Sequence, residues 1–119
     1  FPWIRPVAYA LTDSYVWRYL IKSDFLKQND LQFDTSLIAQ EDTLFVLSAI
    51  EVANAIAVVP WVNYHYMFNE NSALNSRDAV HHAKVKQQYK IGKKYRADFA
   101  KKHKLSWLWK LRKLINMFR

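Results

Sequence analysis

Two carboxylates stand side by side at Glu41-Asp42, directly ahead of the apolar run Leu44-Phe45-Val46-Leu47. A carboxylate in the first turn of a helix stays ionised beside the helix dipole. At the mouth of a site it is placed to accept a proton. The same two residues serve equally as ordinary N-terminal helix charges, and the pair alone leaves both roles open. Four histidines add other options. His81-His82 suggest a metal, but neighbours on a helix point about 100° apart and do not easily share one ion. His103 is too distant to complete the set, so a solvated helix face accounts for them better. His65 stands between Tyr64 and Tyr66 and, in an extended segment, faces away from both. It can line a site, bond a diphosphate, or sit as a satisfied core or rim histidine. Trp17 offers a ring on which a sugar can stack or which can pack in a core.

Other residue types close off whole classes of chemistry. There is no Cys, which excludes disulfides and thiolate zinc sites and fits a reducing compartment. The single Gly, Gly92, rules out a Gly-rich phosphate loop within these residues, because such loops need positive φ and close backbone approach.

Several elements must position these groups. Glu41 to Asn54 reads as the clearest helix of the first half, with Leu44, Phe45, Leu47, Ser48 and Val52 near helical spacing. Ser23-Asp24 reads as the cap of a short helix, Phe25 to Asn29. Ser14 to Ile21 fits a strand or a helix, Leu31-Gln32-Phe33 a brief strand, and Ala55 to Tyr66 one or two strands broken at Pro60. Phe1 to Leu11, with Pro2 and Pro6, reads as extended loop, and Asn69 to Asn75 as polar loop. A long helix is expected from about Arg77 to Lys102, capped by Ser76, with Val80, Val85, Tyr89, Tyr95 and Phe99 as its apolar positions. A last helix is expected from Trp107 to Phe118, capped by Ser106. The expected fold class is α/β (or α+β).

With 51% hydrophobic residues and 16% aromatic ones, the 119 residues make a globular chain with a modest core. The chain opens on Phe1-Pro2-Trp3 without Met, as expected for a piece of a longer protein. The net charge of +8 is unevenly spread: residues 1–78 carry 5 Lys/Arg against 9 Asp/Glu, and residues 79–119 carry 13 against 1. Charge segregated in this way more often marks contact with a polyanionic surface than a need for solubility. In the tail, Trp107, Leu108, Leu111, Leu114, Ile115 and Phe118 form one helical stripe flanked by Lys110, Arg112, Lys113 and Arg119. Such a helix can lie in a membrane interface with its cations toward anionic headgroups. Alternatively, the stripe caps the domain's own core. Lys93, Lys94, Lys101, Lys102 and Lys104 add charge that packing does not need, which favours the membrane. Nucleic acid ranks lower as a partner, for want of a binding module.

Four segments carry a family resemblance, over about residues 14–75. They are Val16-Trp17-Arg18-Tyr19-Leu20-Ile21 with Asp24-Phe25-Leu26, then Phe33-Asp34, then Glu41-Asp42-Thr43-Leu44-Phe45, and finally Pro60-Trp61-Val62-Asn63-Tyr64-His65-Tyr66 with Asn71-Ser72. In order and spacing they resemble the acceptor-side, C-terminal half of family 2, GT-A-type nucleotide-sugar glycosyltransferases. Met67 and Phe68 depart from the pattern, standing where family members often have Arg.

The resemblance implies a partial GT-A-like fold, with residues 1–75 as the C-terminal part of a catalytic domain and 76–119 as a basic helical extension. It implies Asp42 as the base that deprotonates the acceptor hydroxyl in an inverting transfer, Glu41 as its positioning neighbour, and Trp17 and His65 at the acceptor. The implied partners of the full-length enzyme are a nucleotide-sugar donor and a saccharide or lipid-linked acceptor, in bacterial surface polysaccharide synthesis. Its divalent metal (Mg or Mn) would sit on an upstream Asp-x-Asp. This chain has no Asp-x-Asp, so the fragment alone is expected to bind no metal and to be inactive. The expected location is cytoplasmic, peripheral at the inner face of the cell membrane through Trp107, Leu108, Lys110, Leu111, Arg112, Lys113, Ile115 and Phe118. If an absent half normally covers this one, an exposed apolar face should also favour a homodimer. The rival is a non-enzymatic basic helical module that binds membrane or nucleic acid.

Overall fold

The computed structural model describes residues 14–59, 64–67, 69 and 78–107. Within them a 3-10 turn at Val16–Arg18 is followed by α1 (Ser23–Gln28), α2 (Glu41–Val52) and α3 (Ala79–Lys102). The expected α/β (or α+β) class is corrected: the described residues contain no β-strand and the architecture is helical. Leu31-Gln32-Phe33 is irregular. Ser14 to Ile21 folds around the 3-10 turn, and the described parts of Ala55 to Tyr66 form no ladder. The physical reason is pairing. A run such as Ile56-Ala57-Val58-Val59 favours an extended backbone, but it becomes a strand only when a neighbour supplies hydrogen bonds. Val58 remains 57% exposed.

α2 is the core helix. Thr43, Phe45, Val46, Leu47, Ala49 and Ile50 are all buried, and Leu47 is 0% exposed. Three consecutive buried positions cannot share one face, so α2 is enclosed on most sides. Phe99 and Ala100 of α3 and Leu105 of the turn beyond it complete the cluster, with Val16, Tyr19, Ile21, Leu26, Leu31, Ile56 and Tyr95 packed around it.

α3 buries one side: Val85, Gln88, Gly92 and Phe99 follow one another at three, four and seven residues, with Ala100 next to Phe99. Two expected apolar positions, Val80 and Tyr89, are exposed, and polar or small residues take their place against α2. Its N-cap is Asp78, whose carboxylate accepts from the N–H groups of Val80 at 3.1 Å and His81 at 3.2 Å. Ser76 lies outside the described residues. Before α1 the cap position is Lys22, without a side-chain bond, so Ser23 and Asp24 fall inside the first turn.

With one Gly in the chain, the helix ends are closed by other residues. Asp30 (φ 49°) and Lys104 (φ 57°) adopt the left-handed conformation just past α1 and α3. Behind each, two backbone bonds close the end: Leu31 N–H to Leu26 O with Asp30 N–H to Lys27 O, and Leu105 N–H to Ala100 O with Lys104 N–H to Lys101 O. These are Schellman motifs, in which a hydrophobic residue after the left-handed one packs back on the helix. Leu105, 4% exposed, does this at α3.

Candidate functional site

The site grows from the turn that starts α2. Gln40 precedes Glu41 at φ 71°, a left-handed conformation that costs a non-glycine residue about 1–2 kcal/mol. Strain of this kind persists only when surrounding contacts over-determine it. Here α3 supplies them. Gln88 Oε1 accepts from the backbone N–H groups of Ile38 at 2.8 Å and Ala39 at 2.9 Å. Two helical turns on, the Arg96 guanidinium donates through Nη1 to Gln40 Oε1 at 2.8 Å. Its Nη2 donates to Ser14 Oγ at 2.9 Å and to Thr43 Oγ1 at 2.6 Å. The two hydroxyls lie 2.8 Å apart, and Thr43 Oγ1 also donates to Gln40 Oε1 at 3.3 Å.

Gly92 sits between these two anchors. A Cβ there would fall 2.2 Å from Gln40 Oε1. The one glycine is therefore a close-approach position, where a side chain would push on an atom already held by Arg96 and Thr43. Its backbone has ordinary φ.

Asp42, one residue inside this clamped turn, is half-buried. Its Oδ2 accepts from Val16 N–H at 3.0 Å, which ties the carboxylate to the 3-10 turn that carries Trp17. Glu41 is half-buried beside it. Its Oε2 is shielded from solvent and has no hydrogen-bond partner among the described residues.

Trp17 anchors an aromatic stack. Tyr15 lies 5.3 Å from it, Tyr64 4.5 Å and Tyr66 5.5 Å, all within about 22° of parallel. The Arg18 guanidinium carbon lies 5.1 Å from the Trp17 ring centre and 5.7 Å from that of Tyr15, within cation–π reach. Tyr15 and Tyr64 keep about half of their surface open and Tyr66 more, so the face offered to a ligand is largely tyrosine. His65 is exposed between the two tyrosines. Nearby, Phe33 stacks on Phe45 at 4.1 Å, joining the Phe33-Asp34 segment to α2.

Sequence reasoning thus named Glu41, Asp42, Trp17 and His65. The structure ties Asp42 to the 3-10 turn that carries Trp17, and His65 is exposed. It missed the supports: Ser14, Gln40, Thr43, Gln88, Gly92 and Arg96. A signal existed in Gln88, Gly92, Arg96 and Ala100, spaced by four and therefore on one helical stripe. His81 and His82 have ring centres 6.4 Å apart and nearly perpendicular planes. Among the described residues no group of three or more His, Cys, Asp or Glu could hold a metal ion. Of the tail, Trp107 is exposed, whereas Leu108, Lys110, Leu111, Arg112, Lys113, Ile115 and Phe118 lie outside the described residues. No helix among the described residues is long and apolar enough to cross a membrane.

Comparison with models of known families, with curated proteins and with solved structures yields no match for this chain.

Proposed function

We propose that this chain is the acceptor-side part of an inverting nucleotide-sugar glycosyltransferase of family 2, with Asp42 as its base. What supports this most is convergence at the start of α2. The four segments that carry the family resemblance meet there through Asp42 Oδ2 and Val16 N–H, through Trp17 with Tyr64 and Tyr66, and through Phe33 with Phe45. Of these contacts only Val16 N–H reaches Asp42 itself; the others join the segments around the 3-10 turn and at Phe45.

In the proposed reaction Asp42 Oδ1, which carries no hydrogen bond among the described residues, takes the proton of an acceptor hydroxyl. The deprotonated acceptor oxygen forms a bond to the anomeric carbon from the face opposite the leaving group. The bond from that carbon to the diphosphate breaks, and the nucleoside diphosphate departs with its electron pair. The hydrogen bond from Val16 N–H holds the Asp42 carboxylate in place at the start of α2. The tyrosine face beside it suits a sugar ring, whose C–H groups stack on aromatics. A divalent metal, where the family resemblance implies one, belongs to an upstream Asp-x-Asp. The described residues do not fit a metal site. Leu20, Val58 and Met67 are each exposed apolar residues that the rest of such an enzyme, or a second copy in a homodimer, would cover. The tail stripe from Trp107 to Phe118 would hold the enzyme peripherally at the inner face of a bacterial membrane.

The full-length protein tests this through nucleoside diphosphate release from a panel of nucleotide sugars. Asp42→Asn should lower turnover by about 10²–10⁴-fold, the range for a lost general base, with little change in donor binding. Unchanged turnover would remove Asp42 from the reaction. Sequence upstream of Phe1 without an Asp-x-Asp after a strand would instead favour the non-enzymatic basic module.

A further inference from the structure

The lysines of α3 are not spread evenly around it. At about 100° per residue, Lys86, Lys90, Lys93, Lys94 and Lys101 fall within an arc of about 100°, on the side away from the buried stripe. All five are exposed. Between the first and the last, the row runs about 22 Å at 1.5 Å per residue. None of the five has an ion-pair partner among the described residues. Asp98, the one acid of α3, lies outside the arc, and Lys102 turns instead to Glu51. The row includes like charges three and four residues apart (Lys86 and Lys90, Lys90 and Lys93, Lys90 and Lys94), an arrangement that weakens a helix. The fold gains nothing from it, and an external polyanion would.

We infer that this five-lysine face is a docking surface for an anionic lipid membrane, with α3 lying flat along it. Charge complementarity and the composition of the face select the occupant. Lysine rows on a helix suit mobile, densely spaced anionic headgroups, each cation contributing independently. Surfaces that read bases or grip single strands add guanidinium forks and stacking aromatic rings to such cations. The single Arg of α3, Arg96, is turned inward to Ser14, Gln40 and Thr43. No aromatic residue of α3 falls within the lysine arc: Tyr95 bonds Ser48 at 2.9 Å, Phe99 is buried, and Tyr89 and the two histidines point elsewhere. This surface is separate from the tail stripe and does not depend on the sugar-transfer reading.

Co-sedimentation of the full chain with vesicles of phosphatidylglycerol and phosphatidylcholine, against phosphatidylcholine alone, tests the inference. Replacing all five lysines by Gln should leave the helical circular dichroism unchanged and lower partitioning onto the anionic vesicles by about tenfold or more. Leu111→Asp, which spoils the tail stripe, should reduce binding less than that. Partitioning should fall as salt rises toward 0.5 M, roughly where screening lengths drop to a few ångströms. Wild-type binding by the five-Gln variant, or equal binding of wild type to neutral vesicles, would overturn the lysine face. So would tighter capture by duplex DNA than by the anionic vesicles at the same salt.

Discussion

The two ends of α2 are held by opposite means. At its C-terminal end the helix is packed by apolar side chains: Phe99, Ala100 and Leu105 close over Ile50, Val46 and Leu47. There the polar contacts lie at the rim, where Glu51 meets Lys102 Nζ and His103 Nε2, the latter at 2.5 Å. At its N-terminal end the grip is polar. Arg96 and Gln88 reach from α3 to the residues 38–43 and fix a left-handed Gln40. Apolar packing is tolerant of small displacements, whereas hydrogen bonds demand distance and angle. The polar grip is thus applied where a carboxylate must be aimed, and the apolar one where only cohesion is needed.

Substitutions at the two ends should separate cohesion from aim. Phe99→Ala should destabilise most, by about 3–5 kcal/mol in denaturant melts, through a cavity beside α2. Its effect should reach the whole helix cluster. Arg96→Ala should cost less, about 2–3 kcal/mol, the scale for losing hydrogen bonds to a charged group. Its NMR signature should centre on residues 38–43 and on Val16, whose N–H meets Asp42. A uniform response to both variants would mean that the two ends are not different in kind.

The smallest effect belongs to the rim. Burial raises the Glu51 carboxyl, but hydrogen bonds from Lys102 and His103, and their charge, outweigh it and hold the group below its ordinary value of 4.5. A carboxyl lowered in the folded state stabilises above its unfolded pKa, and the gain disappears as pH falls through the folded one. Glu51→Gln should therefore cost up to about 1 kcal/mol at neutral pH, as for an exposed pair. That difference should shrink in melts taken below about pH 4. A gap that widens toward acid would reverse the assigned direction.

The same contrast explains what could be read from the residues alone. α2 was legible because its length, its acidic first turn (Glu41 and Asp42) and its helical spacing agree, and α3 because of its length and its polar cap region. α2 ends at Val52, two residues before the expected Asn54, and α3 begins at Ala79, not Arg77. The inner stripe of α3 was not legible, since a search for apolar residues passes over Gln88, Gly92 and Arg96. Those residues face inward because Gln40, Thr43 and the N–H groups of Ile38 and Ala39 need partners there. The expected strands failed for another reason. Val58 and Val59 have the side chains of a strand, but strand formation is decided by a partner that no local pattern encodes. At the site, chemistry-bearing types such as Asp42 and Trp17 could be named, and the groups that orient them could not.

The claim that α3 clamps the start of α2 rests most directly on Gly92, and a double-mutant cycle with Gln40 tests it. In a helix interior, Gly→Ala by itself stabilises by about 1 kcal/mol. The clamp predicts the opposite for Gly92→Ala in the wild-type background: a loss of about 1–3 kcal/mol in chemical denaturation, because the new methyl displaces Gln40 Oε1 from Arg96. In the Gln40→Ala background the same change should become neutral or stabilising, giving a coupling of about 1–3 kcal/mol between the two sites. Stabilisation by Gly92→Ala in both backgrounds, with no coupling, would contradict the clamp.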